Sequence, residues 1–358
     1  MNDASQRYIA AIGVESVTDW QLQPSRHAEG LGPEAGTLLR VLSSTELDEP
    51  IKIFENEDRA AIAVQKRYKF GAGWAALLSL VAVIIAAVLI VVQPLGLASP
   101  SVVQVLVIVQ GASLVASFVL SLLNSHASLF SRWMTHRANA EFWRIEYFKR
   151  VMAANEQHGP NELPLLPLQL EYFRKHQLDV QRRYYDKRGA QHARAVRWGA
   201  ILRWLALILI VIAAVPPIAA GIGFDWHAYL VSSGWTMPPI ELAIQQRAFI
   251  SLSTIGAALQ GWLAARDLMN QDARNAARYA ATLVNLEALA ERPLDEARSA
   301  AAEGDKDRVL QFAALVDQQI SSEHREWVNL RNLAPNLSLE RLTDKTLSRA
   351  SSKETEVI

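Results

Sequence analysis

The chain contains no cysteine. Disulfides, thiolate catalysis, thiolate metal sites and palmitoylation are excluded at once. Net charge is also missing, with 36 basic and 36 acidic residues in balance. No overall field therefore argues for nucleic acid or for an acidic partner. No phosphate-binding glycine loop, nucleophile elbow or kinase signature occurs. None of the eight histidines makes a pair at helical spacing beside a carboxylate, so no metal and no cofactor is expected. His136 and His192 are expected on solvated helix faces. An enzyme is not expected.

What the chain has is four long apolar stretches, 70–92, 102–123, 204–222 and 248–265. Each is close to the roughly 20 residues a helix needs to cross a bilayer. The first is apolar on every side except at Ser79, whereas a soluble helix keeps a polar face. The two turns within the pairs, 93–101 and 223–246, hold no Lys or Arg, whereas the block between the pairs is rich in both, from Arg132 to Arg194. The positive-inside rule then places that block, and both termini, in the cytoplasm. Trp226, Tyr229 and Trp235 in the second turn suit the outer interface. The first apolar run starts too late for a signal peptide, so the first span is expected to act as its own insertion signal.

The expected fold is an all-α integral membrane protein, with four transmembrane helices as two hairpins and long cytoplasmic helices. A helix is expected from near Ile51 into the first span. Phe130, Met134, Ala138, Phe142, Ile145 and Met152 recur at helical spacing after the second span. Pro160, Pro164 and Pro167 end that helix. A second amphipathic helix opens at Leu170 and is expected to reach the third span without a break. After span four the helix is expected to continue through Tyr279 and Leu286 until Pro293. Phe312, Val316 and Ile320 mark a final helix. The domains read as a 1–50 N-terminal segment, loop-like around Gly30 to Gly36; a first two-span domain, 51–157; a Pro-rich hinge, 158–168; a second two-span domain, 169–333; and a polar tail, 334–358. The halves share hydropathy and topology in parallel, whereas inverted repeats mark many secondary transporters.

A polar stripe runs down the second span through Gln110, Ser113, Ser117, Ser121 and Asn124, on one face by its spacing. A weaker one, Thr254, Ala257, Gly261 and Ala264 with Gln260 beside it, lies on the fourth. Such a stripe either lines a water path or packs helices closely. No Asp, Glu, Lys or Arg lies well inside any span, which argues against a proton pump or a voltage sensor. Glu141 and Glu146, among Arg137 and Arg144, read as helix ion pairs.

The run Trp133, Arg137, Ala140, Glu141, Arg144, Glu146 resembles the pattern after the second span in the SLATT family, the SMODS and SLOG-associating two-transmembrane effectors. Asp58, Ala61, Gln65 and Tyr68 before the first span resemble the same group. So do Tyr172, Gln181, Tyr184, Tyr185 and Asp186, and the terminal helix with Phe312, Ile320, Glu323 and Trp327. Residues 277–286 lack the expected Ala-Glu pair. The whole is similar to two such domains in tandem. The resemblance implies an inner-membrane effector of a bacterial conflict or stress-response system. It would form a homo-oligomer, be triggered by a separate sensor or nucleotide-signalling protein, and open a pore or disrupt the membrane. Trp133, Arg137, Glu141 and Arg144 would then hold a cytoplasmic assembly collar. The other reading is a non-conducting scaffold that anchors a cytoplasmic partner.

Overall fold

A computed structural model describes residues 3–13, 22–221, 229, 232–233 and 242–333. Among them every regular element is helical. The short helices α1 (Asp3–Ile12), α2 (Pro24–Glu29) and α3 (Gly36–Leu42) precede α4 (Asp48–Val92), which continues unbroken for 45 residues. Then follow α5 (Pro100–His126), α6 (Leu129–Ala153), α7 (Leu165–Phe173), a π-helical turn (Arg174–Leu178) and α8 (Asp179–Gly221). The last four are α9 (Leu242–Asn270), α10 (Asp272–Leu289), α11 (Arg292–Glu303) and α12 (Lys306–Leu333). Trp226, Trp235 and the tail from 334 lie outside the described residues, as do the side chains of Glu323 and Trp327 on α12.

Local chemistry sets the boundaries. Ser99 accepts the Val102 N–H at 3.4 Å and Pro100 occupies the first turn, a paired start signal for α5. Gln271, at φ 50°, separates α9 from α10. The helix expected to continue unbroken after span four is therefore two helices. Pro293 does end one segment, but as the opening of α11, whose far end is capped by Gly304 at φ 79°. That positive φ is where glycine is favoured. The expected run from Leu170 into the third span is continuous apart from the π turn.

The chain divides into two compact units, each drawn from both sequence halves. Unit 1 takes the described residues of Met1–Ala63, Phe130–Lys187 and Arg278–Ile358. Its core joins Ile12 and Leu38 from the first 50 residues to Tyr147, Phe148, Leu168, Tyr172, Phe173, Val309 and Val316. The segment that reads as loop in sequence is thus folded. Arg40 pairs with Glu162 at 2.9 Å, and Thr37 donates to the Leu163 carbonyl at 3.2 Å. The final carbonyls of α6 are satisfied from outside. Gln169 donates to Val151 and Ala154, and Lys306 donates to Ala153. Without such partners a buried helix end leaves its last acceptors unpaired.

Unit 2 comprises Val64–Leu129 and Arg188–Ala277. In α4, α5, α8 and α9 it holds helices long and apolar enough to cross a membrane. Their apolar side chains mostly face outward; only 6% of the α5 window is buried, and Phe118 is 66% exposed. Large exposed apolar area of this kind is unstable in water and suits a lipid surround. This is the pattern of a multi-pass membrane protein. Polar side chains tie the helices to neighbouring backbones. Ser251 on α9 donates to Ala87 of α4 at 2.7 Å, and Gln260 donates to Arg203 of α8 at 3.0 Å. Gly256 lets α9 approach α8; a Cβ there would meet Ile210 at 2.6 Å and the Ala206 carbonyl at 3.1 Å.

Candidate functional site

The stripe on α5 meets α4 at two of its residues. Ser113 is buried. Ser117 Oγ donates to the Ala75 carbonyl at 2.7 Å, and Asn124 Nδ2 donates to the Tyr68 carbonyl at 3.3 Å. Asn124 crosses α4 at Gly71, where a Cβ would meet its Oδ1 at 2.5 Å. Gln110 is half-buried and Ser121 is exposed. Ser117 and Asn124 therefore sit in the contact between α5 and α4, each donating a side-chain proton to its backbone.

On α6 the sequence pattern forms a graded ion network inside unit 1. Arg137 reaches Asp58 of α4 at 3.4 Å and Glu141 at 2.8 Å. Glu141 also pairs with Arg144 at 3.1 Å. Arg144 is only 2% exposed, and its guanidinium donates to the Gln181 side-chain oxygen, with that amide turned oxygen-inward. A guanidinium is tolerated at such depth only when its fork of donors meets acceptors. Trp133 lies half-buried at the start of α6, with Phe130 edge-on to its ring. His136 and His192 are not on free solvated faces. His136 pairs with Glu57 at 2.8 Å and His192 with Asp272 at 2.7 Å. Carboxylates 79 and 80 positions away in sequence offered no local signal.

The π turn is the feature that sequence reasoning missed. π-helical turns are rare and recur at functional sites. Here three consecutive polar residues are all buried, each toward a different element. Lys175 Nζ donates to the Ile12 and Gly13 carbonyls at 2.8 and 2.9 Å, capping α1. The His176 ring lies 3.9 Å from that of His27 on α2 and 4.5 Å from that of Tyr172. Gln177 Nε2 donates to Asp317 Oδ1 on α12 at 3.4 Å. A chain of hydroxyls runs alongside: Tyr147 to Tyr172 at 2.7 Å, then Tyr172 to His27 Nδ1 at 2.7 Å.

Burial governs the protonation states of this layer. It pushes His176 down to about 2, helped by the charges of His27, Lys175 and Arg174. The ring is neutral, and neither of its nitrogens has a partner. Burial pushes Asp317 up to about 7, against the Gln177 hydrogen bond and the positive charges of Lys149 and Arg144. Once protonated, its hydroxyl has a ready acceptor in Gln177 Oε1, which is buried and otherwise unpartnered. Burial likewise raises both tyrosines. The arrangement is a buried polar layer in which the π turn meets α1, α2 and α12.

On the other side of α7, Glu171 is 2% exposed between Arg174 at 2.5 Å and Arg298 at 2.7 Å. Glu171 and Arg298 border a cavity of about 270 Å³ between α1, α7 and α11. Both Glu171 oxygens are already engaged.

Searches of curated proteins and of solved structures return no match to this chain. A family model described as a protein of unknown function, DUF4231, matches residues 56–162, the stretch that contains the α5 stripe and, apart from Gln181, the α6 network.

Proposed function

We propose that the chain is an effector of the inner membrane in a bacterial conflict or stress-response system. A separate sensor, of the nucleotide-signalling kind, would trigger it. It would then oligomerise and open a pore or disrupt the membrane. In this reading the four spans form two hairpins, both termini are cytoplasmic, and the protein carries two SLATT-like domains in tandem. The observation that carries the reading is the pair of rods α4 and α8. Each is a continuous helix with one part in unit 1 and an apolar part long enough to span a bilayer. A rearrangement of unit 1 that turns or shifts either rod moves a span with it. Triggering would require a sensor that binds the open arrangement better than the closed one.

The test is induction in bacteria while membrane potential and dye uptake are followed, with Gln110→Leu alongside. Rapid depolarisation by the wild-type chain, lost in a variant that still inserts, supports the pore. Depolarisation shared by both variants removes the stripe from the mechanism.

A second reading, a non-conducting scaffold for a cytoplasmic partner, is favoured by the α5 contacts. Ser117 and Asn124 serve the contact with α4 within one chain. A scaffold predicts no depolarisation, and partner binding that depends on α6 rather than α5.

A further inference from the structure

Acidic residues vanish near the membrane. None occurs from Arg59 to Ala140, nor from Lys187 to Phe224. Those stretches include the parts of α4 and α8 where unit 2 passes into its apolar spans. On α4, Lys66, Arg67 and Lys69 are exposed, followed by Phe70 at 65% and Trp74 at 45% exposure. On α8, Arg194 and Arg197 are exposed, followed by Trp198 at 64% and Trp204 at 66%. Cations followed directly by outward aromatic rings thus occur on both helices. Exposed indole rings favour the headgroup level of a bilayer. Lys69 and Arg188 lie close enough for each to feel the other's charge, with Asp272 the nearby counter-charge. Asp272 is itself bonded to His192, and Asp267 is paired with Arg203. Local carboxylates are therefore few and already engaged.

We infer that this end of unit 2 is a docking surface for anionic phospholipid headgroups, with Lys66, Arg67 and Arg197 meeting the phosphates and Trp74, Trp198 and Trp204 seated among the headgroups. The inference rests on the chain spanning a membrane and is independent of conduction. Phospholipid, rather than a soluble anion, is the partner because cations and exposed rings share the surface. A free phosphate would use only the cations. Each Lys or Arg at a membrane surface strengthens attraction to anionic lipid about fivefold, so three should contribute about a hundredfold.

The experiment uses the full chain reconstituted in phosphatidylcholine vesicles containing either brominated phosphatidylglycerol or brominated phosphatidylcholine, with tryptophan quenching as readout. The expected result is stronger quenching by the brominated anionic lipid at equal content. That preference should collapse in a Lys66→Gln, Arg67→Gln, Arg197→Gln variant and persist in Lys66→Arg, Arg67→Lys, Arg197→Lys. In the wild-type protein it should also shrink in about 1 M salt, where the Debye length falls to about 3 Å. Equal quenching by the two lipids overturns the proposal, as does a preference that survives both the glutamine variant and salt. Loss of the preference on adding soluble glycerol phosphate at equal concentration overturns the lipid assignment in favour of a free anion. Should the glutamine variant fail to insert, the wild-type lipid comparison and its salt dependence still decide the matter. Depolarisation plays no part in the readout, so its outcome stands apart from that of the pore reading.

Discussion

Asp317 offers the sharpest test of the buried layer around the π turn. It is 6% exposed on α12, bonded to Gln177 and near the charges of Arg144 and Lys149 on α6. Its value rises from an ordinary 3.8 to about 7. Between those two values the folded protein holds a proton that the unfolded chain has released, so stability falls as pH rises through this window and levels off above it. The gap is about three units at about 1.4 kcal/mol each, which caps the cost at about 4 kcal/mol. From pH 8 to pH 6 the unfolded carboxyl, ordinarily near 3.8, stays ionised, while the folded one takes up its proton and gains about one decade of binding. The wild-type bundle should therefore become more stable by about 1.4 kcal/mol. Asp317→Asn imitates the protonated acid, because its amide can donate to the free Gln177 oxygen. The variant should be the more stable protein at pH 8 and should lose this part of the pH slope. Hydrogen exchange of the α12 backbone in detergent, corrected for intrinsic rates, reads the difference. The other ionisable groups of unit 1 are common to both proteins and cancel in the comparison. Identical slopes in wild type and Asp317→Asn would refute the reasoning. So would a variant less stable than wild type at pH 8.

Three further predictions concern the contacts that hold the elements. Arg144→Ala leaves Glu141 and Gln181 without their buried donor and should cost about 3–5 kcal/mol in chemical denaturation; a loss under about 1 kcal/mol would mean that water already reaches the site. Ser117→Ala and Asn124→Leu should each weaken the contact between α5 and α4 by about 0.6 kcal/mol. Cysteine pairs at the α4–α5 contact, introduced into this cysteine-free chain, would report it as slower cross-linking, and unchanged rates would show that the bonds contribute nothing. Lys175→Met removes the cap on α1 and should speed proteolysis between α1 and α2 severalfold while cutting elsewhere stays constant; uniform acceleration would instead mean that the whole unit has loosened.

The membrane helices were legible because their signal is local and one-dimensional. Twenty apolar residues in a row need no tertiary information, and α4, α5, α8 and α9 stand where hydropathy puts them. The α6 network was half legible. Arg137, Glu141 and Arg144 follow helical spacing, so their mutual pairing could be read from the sequence. Their partners Asp58 and Gln181 could not, because they lie on other helices. The first 50 residues misled because glycines at 30, 32 and 36 fall at or between the ends of the short helices α2 and α3. The core side chains of this segment, such as Leu38, are buried in a cluster with Tyr172 and Leu168, more than a hundred residues away. Gln271 hid a break for a related reason: a positive φ at glutamine carries no sequence signature, unlike the glycine that caps α11.

The π turn shows where sequence reading reaches its limit. Lys175, His176 and Gln177 look like an ordinary polar stretch on a solvated helix. A regular α-helix turns 100° per residue, so three successive side chains fan over more than half its circumference. Burying all three requires neighbours on several sides at once, which no local pattern announces. The neighbours are the end of α1, His27 of α2 and Asp317 of α12. This one turn therefore ties the chain's first helices and its last described helix to the segment that continues directly into α8. Neither nitrogen of the neutral His176 is partnered, and Gln177 has an open oxygen, so the layer carries unsatisfied polar groups at about 1–3 kcal/mol each. Reverting the π turn to α geometry would re-aim each of the three side chains. Protonation of Asp317 closes one of the open bonds and favours the arrangement described here.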